Sequence, residues 1–237
     1  MKKTLITLLA LAGAAMADEA TDVLYTSTSN GTEASNYEAK GFAFNLSGTA
    51  LTTTSTPSSY DFSDSVTLSE ITLTLRDVKN STNEDKDGKH IIVITDSDLK
   101  IQGWSSNESD TATDAEGYEF TWNFANVTLD TDTTYYAIAY DSGASLTKGT
   151  TLTQAGEAMQ FGTNGVSNYD ANGLSFDGAS TGKTGLMFLN GGSYAINTAQ
   201  KQYAPNVKIV TKMIPEPATA TLSLLALAGL AARRRRK

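Results

Sequence analysis

Apolar residues along most of the chain recur at every second position in short runs, the period of a strand with one buried face. Phe42, Phe44 and Leu46 alternate with Ala43 and Asn45, and Tyr118, Phe120, Trp122 and Phe124 alternate with Glu119, Thr121 and Asn123. Strands are expected at 23–28, 41–46, 71–78, 99–104, 126–129 and 134–140, with weaker ones at 158–161, 174–176, 186–189 and 206–211. Val66 and Leu68 share one parity, whereas Ile71, Leu73 and Leu75 share the other. A bulge or turn near Ser69-Glu70 would restore a common inward face. Ile91-Ile92-Val93-Ile94 is unbroken and β-branched, which predicts a central strand covered on both faces. Polar stretches at 52–59, 79–89 and 105–116 read as loops, and 130–132 as a turn.

About ten or eleven short strands, with serine and threonine making up about a quarter of the residues, place the chain in the all-β class. The expected architecture is a two-sheet β-sandwich, jelly-roll-like. A barrel or a β-helix would share the strand content, but no internal period supports a solenoid. The segment from Val66 to Tyr140, with its F-x-N-V-x-L-x-x-x-T-x-Y run from Phe124 to Tyr135, resembles the jelly-roll accessory modules of extracellular bacterial proteins.

The two ends depart from this pattern. Lys2 and Lys3 precede the apolar stretch Leu5 to Ala15, and Ala15-Met16-Ala17 supplies small residues for cleavage, so 1–17 reads as a signal peptide. At the other end Pro215-Glu216-Pro217 is followed by 15 uncharged residues, Ala218 to Ala232, and then by Arg233, Arg234, Arg235, Arg236 and Lys237. As a helix the run would span about 22 Å, short of the ~30 Å hydrocarbon core. Snorkelling of the basic cluster makes up part of the difference and holds it on the cytoplasmic side. One C-terminal membrane helix is therefore expected. This order resembles the PEP-CTERM sorting signal of bacterial surface proteins. The resemblance implies recognition and cleavage near Pro215, Glu216 and Pro217 by an exosortase, with Arg233 to Arg236 as the basic flank, and a link to exopolysaccharide production. The expected organisation is signal peptide 1–17, an extracytoplasmic β-domain 18–214, and the sorting segment 215–237.

Setting the targeting segments aside changes the charge balance. The chain holds 18 Lys+Arg and 26 Asp+Glu; without Lys2, Lys3, Glu216 and the five terminal cations, the body keeps 11 cations against 25 anions, a net charge of −14. Such a surface repels phosphate backbones, so nucleic acid is not an expected partner. The absence of cysteine removes thiol nucleophiles and thiolate metal sites.

Little else in the body points to catalysis. His90 is the single histidine. It has no G-x-S-x-G elbow to serve, and its place at the entry to a β-branched strand reads as structural. The carboxylates Glu108, Asp110, Asp114 and Glu116 accompany no glycosidase motif. No cofactor is required, although calcium is possible: Asn83, Asp85 and Asp87 alternate before Gly88 as in the opening of an EF-hand loop. Ile94 stands where the bidentate Glu would be needed, and a solvated hairpin with Asp87-Gly88 as its turn explains the same residues. The aromatic run Tyr118 to Phe124 reads as an inward strand face. Trp104, Tyr169 and Tyr194, set among Gly, Asn and Ser, are the better candidates for stacking on a sugar ring, or else they cap the core. The expected function is a non-enzymatic, structural component of the cell surface or extracellular matrix, held in the membrane before processing and then anchored or released. A carbohydrate-binding module acting on exopolysaccharide or host glycan is the alternative, and a glycan hydrolase ranks below both.

Overall fold

The computed structural model describes residues 21–26, 37–46, 65–75, 89–110, 118–153, 156, 159–165, 168–176, 182–190, 193–196 and 203–213. The expected signal peptide, the sorting segment with its helix, and the Asn83-Asp85-Asp87 loop lie outside them. Within them the protein is all-β. Seventeen strands follow in order: β1 (Thr21–Thr26), β2 (Tyr37–Ala39), β3 (Gly41–Asn45), β4 (Ser65–Leu75), β5 (Lys89–Thr95), β6 (Ile101–Trp104), β7 (Ser109–Asp110), β8 (Tyr118–Asp130) and β9 (Thr134–Asp141). The remainder are β10 (Met159–Phe161), β11 (Thr163–Gly165), β12 (Asn168–Tyr169), β13 (Ser175–Phe176), β14 (Lys183–Asn190), β15 (Ser193–Ile196), β16 (Tyr203–Pro205) and β17 (Val207–Met213).

These strands form two large sheets and one small pair. The six-stranded sheet runs β1-β17-β4-β10-β2, with β8 on β4. The nine-stranded sheet runs β12-β13-β14-β3-β9-β5-β6, with β15 on β14 and β7 on β5, and β11 pairs with β16. One cluster of buried side chains draws on both large sheets: Leu68, Ile71, Leu73, Trp122 and Ile209 from the first meet Phe42, Phe44, Ile92, Ile94 and Ala137 from the second. Burial of these side chains is the main favourable term of folding.

The parity change in β4 is resolved where the sequence demanded it. Leu68 pairs with Val127 and Glu70 with Asn123, so the ladder shifts register across Ser69. On the other side of β4, Leu68 pairs with Thr211 and Glu70 with Val210, again skipping Ser69. Val66, Leu68, Ile71, Leu73 and Leu75 are consequently all buried. β8 makes the matching change: Trp122 and Phe124 face inward before the shift, Val127 and Leu129 after it. Asn126 absorbs the turn in the left-handed region, at φ 61°, a conformation that asparagine tolerates better than most residues. The stretches expected as separate strands around Trp122 and Val127 are therefore one long strand with a kink.

The two large sheets differ in how they are covered. On β4 and β17 the residues facing away from the core include Thr67, Thr72, Thr74, Lys208 and Lys212, partly or fully exposed. This is the alternation of a sheet with one solvated face. In β5 every residue from His90 to Thr95 is buried. Ile92 and Ile94 enter the shared cluster, while Ile91 and Val93 join Ile101, Ile138, Tyr140 and Leu152 in a second one. The loop after β9 covers that second cluster with Ala144, Leu146 and Leu152, and Ala43 meets Leu174 and Met187 in a third. The expectation of a doubly covered central strand is met.

Several short elements escaped the sequence pattern. β2, β11, β12, β15 and β16 are too short, or too rich in Gly and Asn, to show a period. The stretch after Trp104, read as an acidic loop, contains β7, whose Ser109 and Asp110 pair with His90 and Lys89. The turn between β8 and β9 is closed by Tyr135, whose hydroxyl accepts the Asp130 N–H at 2.9 Å, the device of a tyrosine corner.

Deleting Ser69 would turn Val66 and Leu68 to the solvated face, and the expected result is loss of the cooperative unfolding transition. Ser69→Ala should stay within about 0.5 kcal/mol of the parent in denaturant titration. Burial pushes the phenols of Tyr135 and Tyr136 above the ordinary tyrosine range. Each contribution is thus fully present below about pH 10 and is lost as pH rises through the folded value. Tyr135→Phe should cost about 1 kcal/mol at neutral pH and flatten the alkaline limb of the stability–pH curve.

Candidate functional site

Trp104 closes β6 at one edge of the nine-stranded sheet, opposite Val93. Its neighbour decides its direction. A Cβ on Gly103 would lie 2.5 Å from Val127 Cγ2, so position 103 faces inward, has room only for hydrogen there, and leaves Trp104 to point outward. Trp104 is 37% exposed. The chain on either side of it is firmly held. The Ile101 N–H donates to the Thr150 carbonyl at 2.9 Å, and the Gly149 N–H donates to the Ile101 carbonyl at 2.8 Å.

After Trp104 the chain bridges the two large sheets, holding to β5 on one side and meeting β8 on the other. The Ser105 N–H donates to the Ile92 carbonyl at 2.9 Å, and the Ser106 N–H donates to the Asn123 carbonyl at 2.8 Å. The Asn107 side chain then imitates a peptide group. Its Nδ2 donates to the Thr121 carbonyl at 2.9 Å and its Oδ1 accepts the Asn123 N–H at 2.7 Å. The outer edge of β8, which would otherwise offer open hydrogen-bonding groups, is capped there. Trp104 therefore stands on a corner pinned to both sheets, a rigid mount that lowers the ordering cost of stacking on a ligand.

Polar groups near the two ends of β5 are engaged with one another. Asp96 Oδ1 accepts the N–H groups of Asp98 and Lys100 at 3.0 and 2.9 Å, and Gln102 Nε2 donates to Asp96 Oδ2 at 3.2 Å. Lys89 and Glu108 form an exposed ion pair at 2.6 Å. Hydrogen bonds from Lys89 and then Ser142 hold the Glu108 carboxyl below the ordinary carboxylate range. An exposed pair of this kind contributes little to stability.

The other two aromatic candidates lie elsewhere. Tyr169, 46% exposed, belongs to β12 at the opposite edge of the nine-stranded sheet, six strand steps from β6. At ~4.8 Å per step that is about 29 Å along the sheet. Beside it, Asp170 Oδ1 accepts the N–H groups of Asn172 and Leu174 at 2.8 and 3.0 Å, and Lys183 pairs with its Oδ2 at 3.5 Å. Tyr194 is half-buried: its ring packs on the second and third clusters and its hydroxyl accepts the Gly156 N–H. A Cβ at Gly156 would lie 2.6 Å from Ile138 Cγ2, so glycine and tyrosine together hold the loop after β9 against the sheet. The three residues do not form one platform.

His90 is 2% exposed. Its backbone carbonyl accepts the Trp122 indole N–H at 3.1 Å and the Ser109 hydroxyl at 3.3 Å, consistent with a structural position at the head of β5. Among the described residues no group of three or more His, Cys, Asp or Glu side chains is placed to hold a metal ion, and no helix is long and apolar enough to cross a membrane. The edge cap built by Asn107 and the carboxylate-capped turns at Asp96 and Asp170 were missed in the sequence. The Asp-x-Asp and Asp-x-Asn spacings at the turns were their only signal.

Comparison with family models, curated proteins and solved structures found no match to the chain.

Gly103→Ala should lower stability by about 1–3 kcal/mol, the usual cost of overpacking a stiff neighbour. Adding Val127→Ala should then cost less than Val127→Ala alone. Denaturant titration of the three variants gives the coupling; additive losses would show that Gly103 does not act through Val127.

Proposed function

We propose that this is an exported, non-enzymatic protein of the bacterial surface or extracellular matrix, sorted through its C-terminal segment. The observation that carries the reading is the order Pro215-Glu216-Pro217, a 15-residue uncharged run, and five terminal cations. Such a run is too short for a comfortable span and is completed by snorkelling cations on the cytoplasmic side. By its resemblance to PEP-CTERM signals, an exosortase-type protease cuts near Pro215 to Pro217 and frees the body from the basic tail. The body itself is a two-sheet sandwich of jelly-roll type. That reading is supported by one apolar cluster shared between two large sheets and by a chain that passes from β3 to β4 to β5, and from β8 to β9 to β10, changing sheet each time. Every described strand lies between Thr21 and Met213, inside the expected mature body 18–214.

Intact mass and terminal peptide mapping of the protein from membrane, surface and medium fractions tests the address. A mature form that begins near Asp18 and ends within Pro215 to Pro217 is the expected result. Retention of Arg233 to Lys237 in every fraction would make the tail a plain anchor, and a cytosolic chain with both ends intact would end the export reading.

The second reading, a carbohydrate-binding surface, is favoured by one feature, the outward indole of Trp104 on its pinned corner. Trp122 is buried, with its indole N–H bonded, so a change in tryptophan emission on adding purified exopolysaccharide would report on Trp104. A saturable shift, lost in Trp104→Phe, is the expected signature of binding. An unchanged spectrum would leave the structural role alone.

A further inference from the structure

We propose that β17 is the closing element of the fold, so that the protein has no stable tertiary structure until residues 207–213 are in place. The argument rests on where the last described strand goes. β17 does not sit at an edge. It lies between β1 and β4 in the six-stranded sheet and pairs antiparallel with both. Its register matches Thr21 to Lys212 on one side and Val66 to Met213 on the other. Among the described residues, β17 is the only strand that pairs with β1. Among the described strands, the first therefore has no seat in a sheet until the last has arrived.

β17 also contributes to the core that both sheets share. Val207 and Ile209 belong to the cluster containing Leu73, Trp122, Phe42 and Ile92, and Ile209 is directly paired with Ile71. Without β17 the six-stranded sheet loses β1 as well. β4 then carries an open edge opposite Thr67 to Leu73, and the shared cluster opens beneath it. β16 is tied into the same event, because one residue joins it to β17: the Asn206 N–H donates to the Gly162 carbonyl at 2.8 Å, and the Asn206 carbonyl accepts the Thr74 N–H at 3.1 Å. The pairing of Thr21 with Lys212 closes a loop that spans nearly the whole body, and such closures are the slow, late steps of folding.

The consequence is a completion switch. A chain handled before β17 is available stays unfolded, the state that threading through a membrane pore requires. A cut upstream of Val207 would release the fold, whereas a cut after Met213 would leave it intact. The inference holds whether or not the tail is a sorting signal.

Native-state hydrogen exchange on the full chain tests it. If β17 closes the fold, its release is global unfolding. Amides of β1, β17, β4 and β5 should then share one opening, with protection factors agreeing within about tenfold. Ile209→Ala should lower protection in β5, at Ile92 and Ile94, by the same factor as in β4, at Ile71 and Leu73. Protection of β1 and β17 more than about tenfold weaker than that of β5 would show that they open locally over a standing body and would overturn the proposal. So would an Ile209→Ala variant whose β5 protection is unchanged.

Discussion

The alternation of side chains along a strand is the constraint on which the rest of this structure depends. A strand of eleven residues whose apolar positions change parity in the middle cannot bury both halves unless the ladder gains a residue. Ser69 is that residue, and the neighbouring strands conform to it. Asn126 lets β8 make the corresponding change, so Trp122 above the step and Val127 below it face the same core. Val127 in turn occupies the space that a side chain at position 103 would need. The outward setting of Trp104 is thus a distant result of the step at Ser69, passed through one valine.

The acidic composition acquires a local meaning. Asp96, Asp141 and Asp170 each accept the backbone N–H two residues ahead, from Asp98, Gly143 and Asn172. Each stands at or just after the end of a strand, where the chain turns and its amides lose their ladder partners. Part of the negative charge therefore serves the backbone. Asn107 does for the edge of β8 what these aspartates do for turns, and with a neutral side chain. A body rich in Asp, Asn, Ser and Thr can thus finish many short strands without disulfides.

How far the sequence could be read follows from the range of each interaction. The shift at Ser69, the double covering of Ile91 to Ile94 and the inward face of Trp122 were legible because each is a statement about parity within one strand. The pairing of β1 with β17 was not, since nothing in either segment names its partner across almost two hundred intervening positions. β7 and β12 were too short to carry a period. Among the candidate residues, the exposure of Trp104 and Tyr169 agreed with their polar neighbours, but their placement at opposite edges of one sheet is a property of strand order. Tyr194 sits among Gly and Ser in sequence but packs on two apolar clusters in space, and its hydroxyl meets Gly156 from a different part of the chain.

The antiparallel match of Thr21 with Lys212 brings the entry and the exit of the body to one end, beside the turn where Ser65 bonds Asp130 at 2.6 Å. Leu75 and Tyr118 face each other at the other end of the same ladder. Segment 76–88 departs from Leu75, and segment 111–117 arrives at Tyr118. For a body tethered beyond Met213, the turn at Asp130 would lie on the side of the tether and the Leu75–Tyr118 end of the ladder on the side away from it. A neighbouring molecule approaching from outside would then meet the Leu75–Tyr118 end of the ladder first, and the Thr21 end of β1 would sit beside the tether.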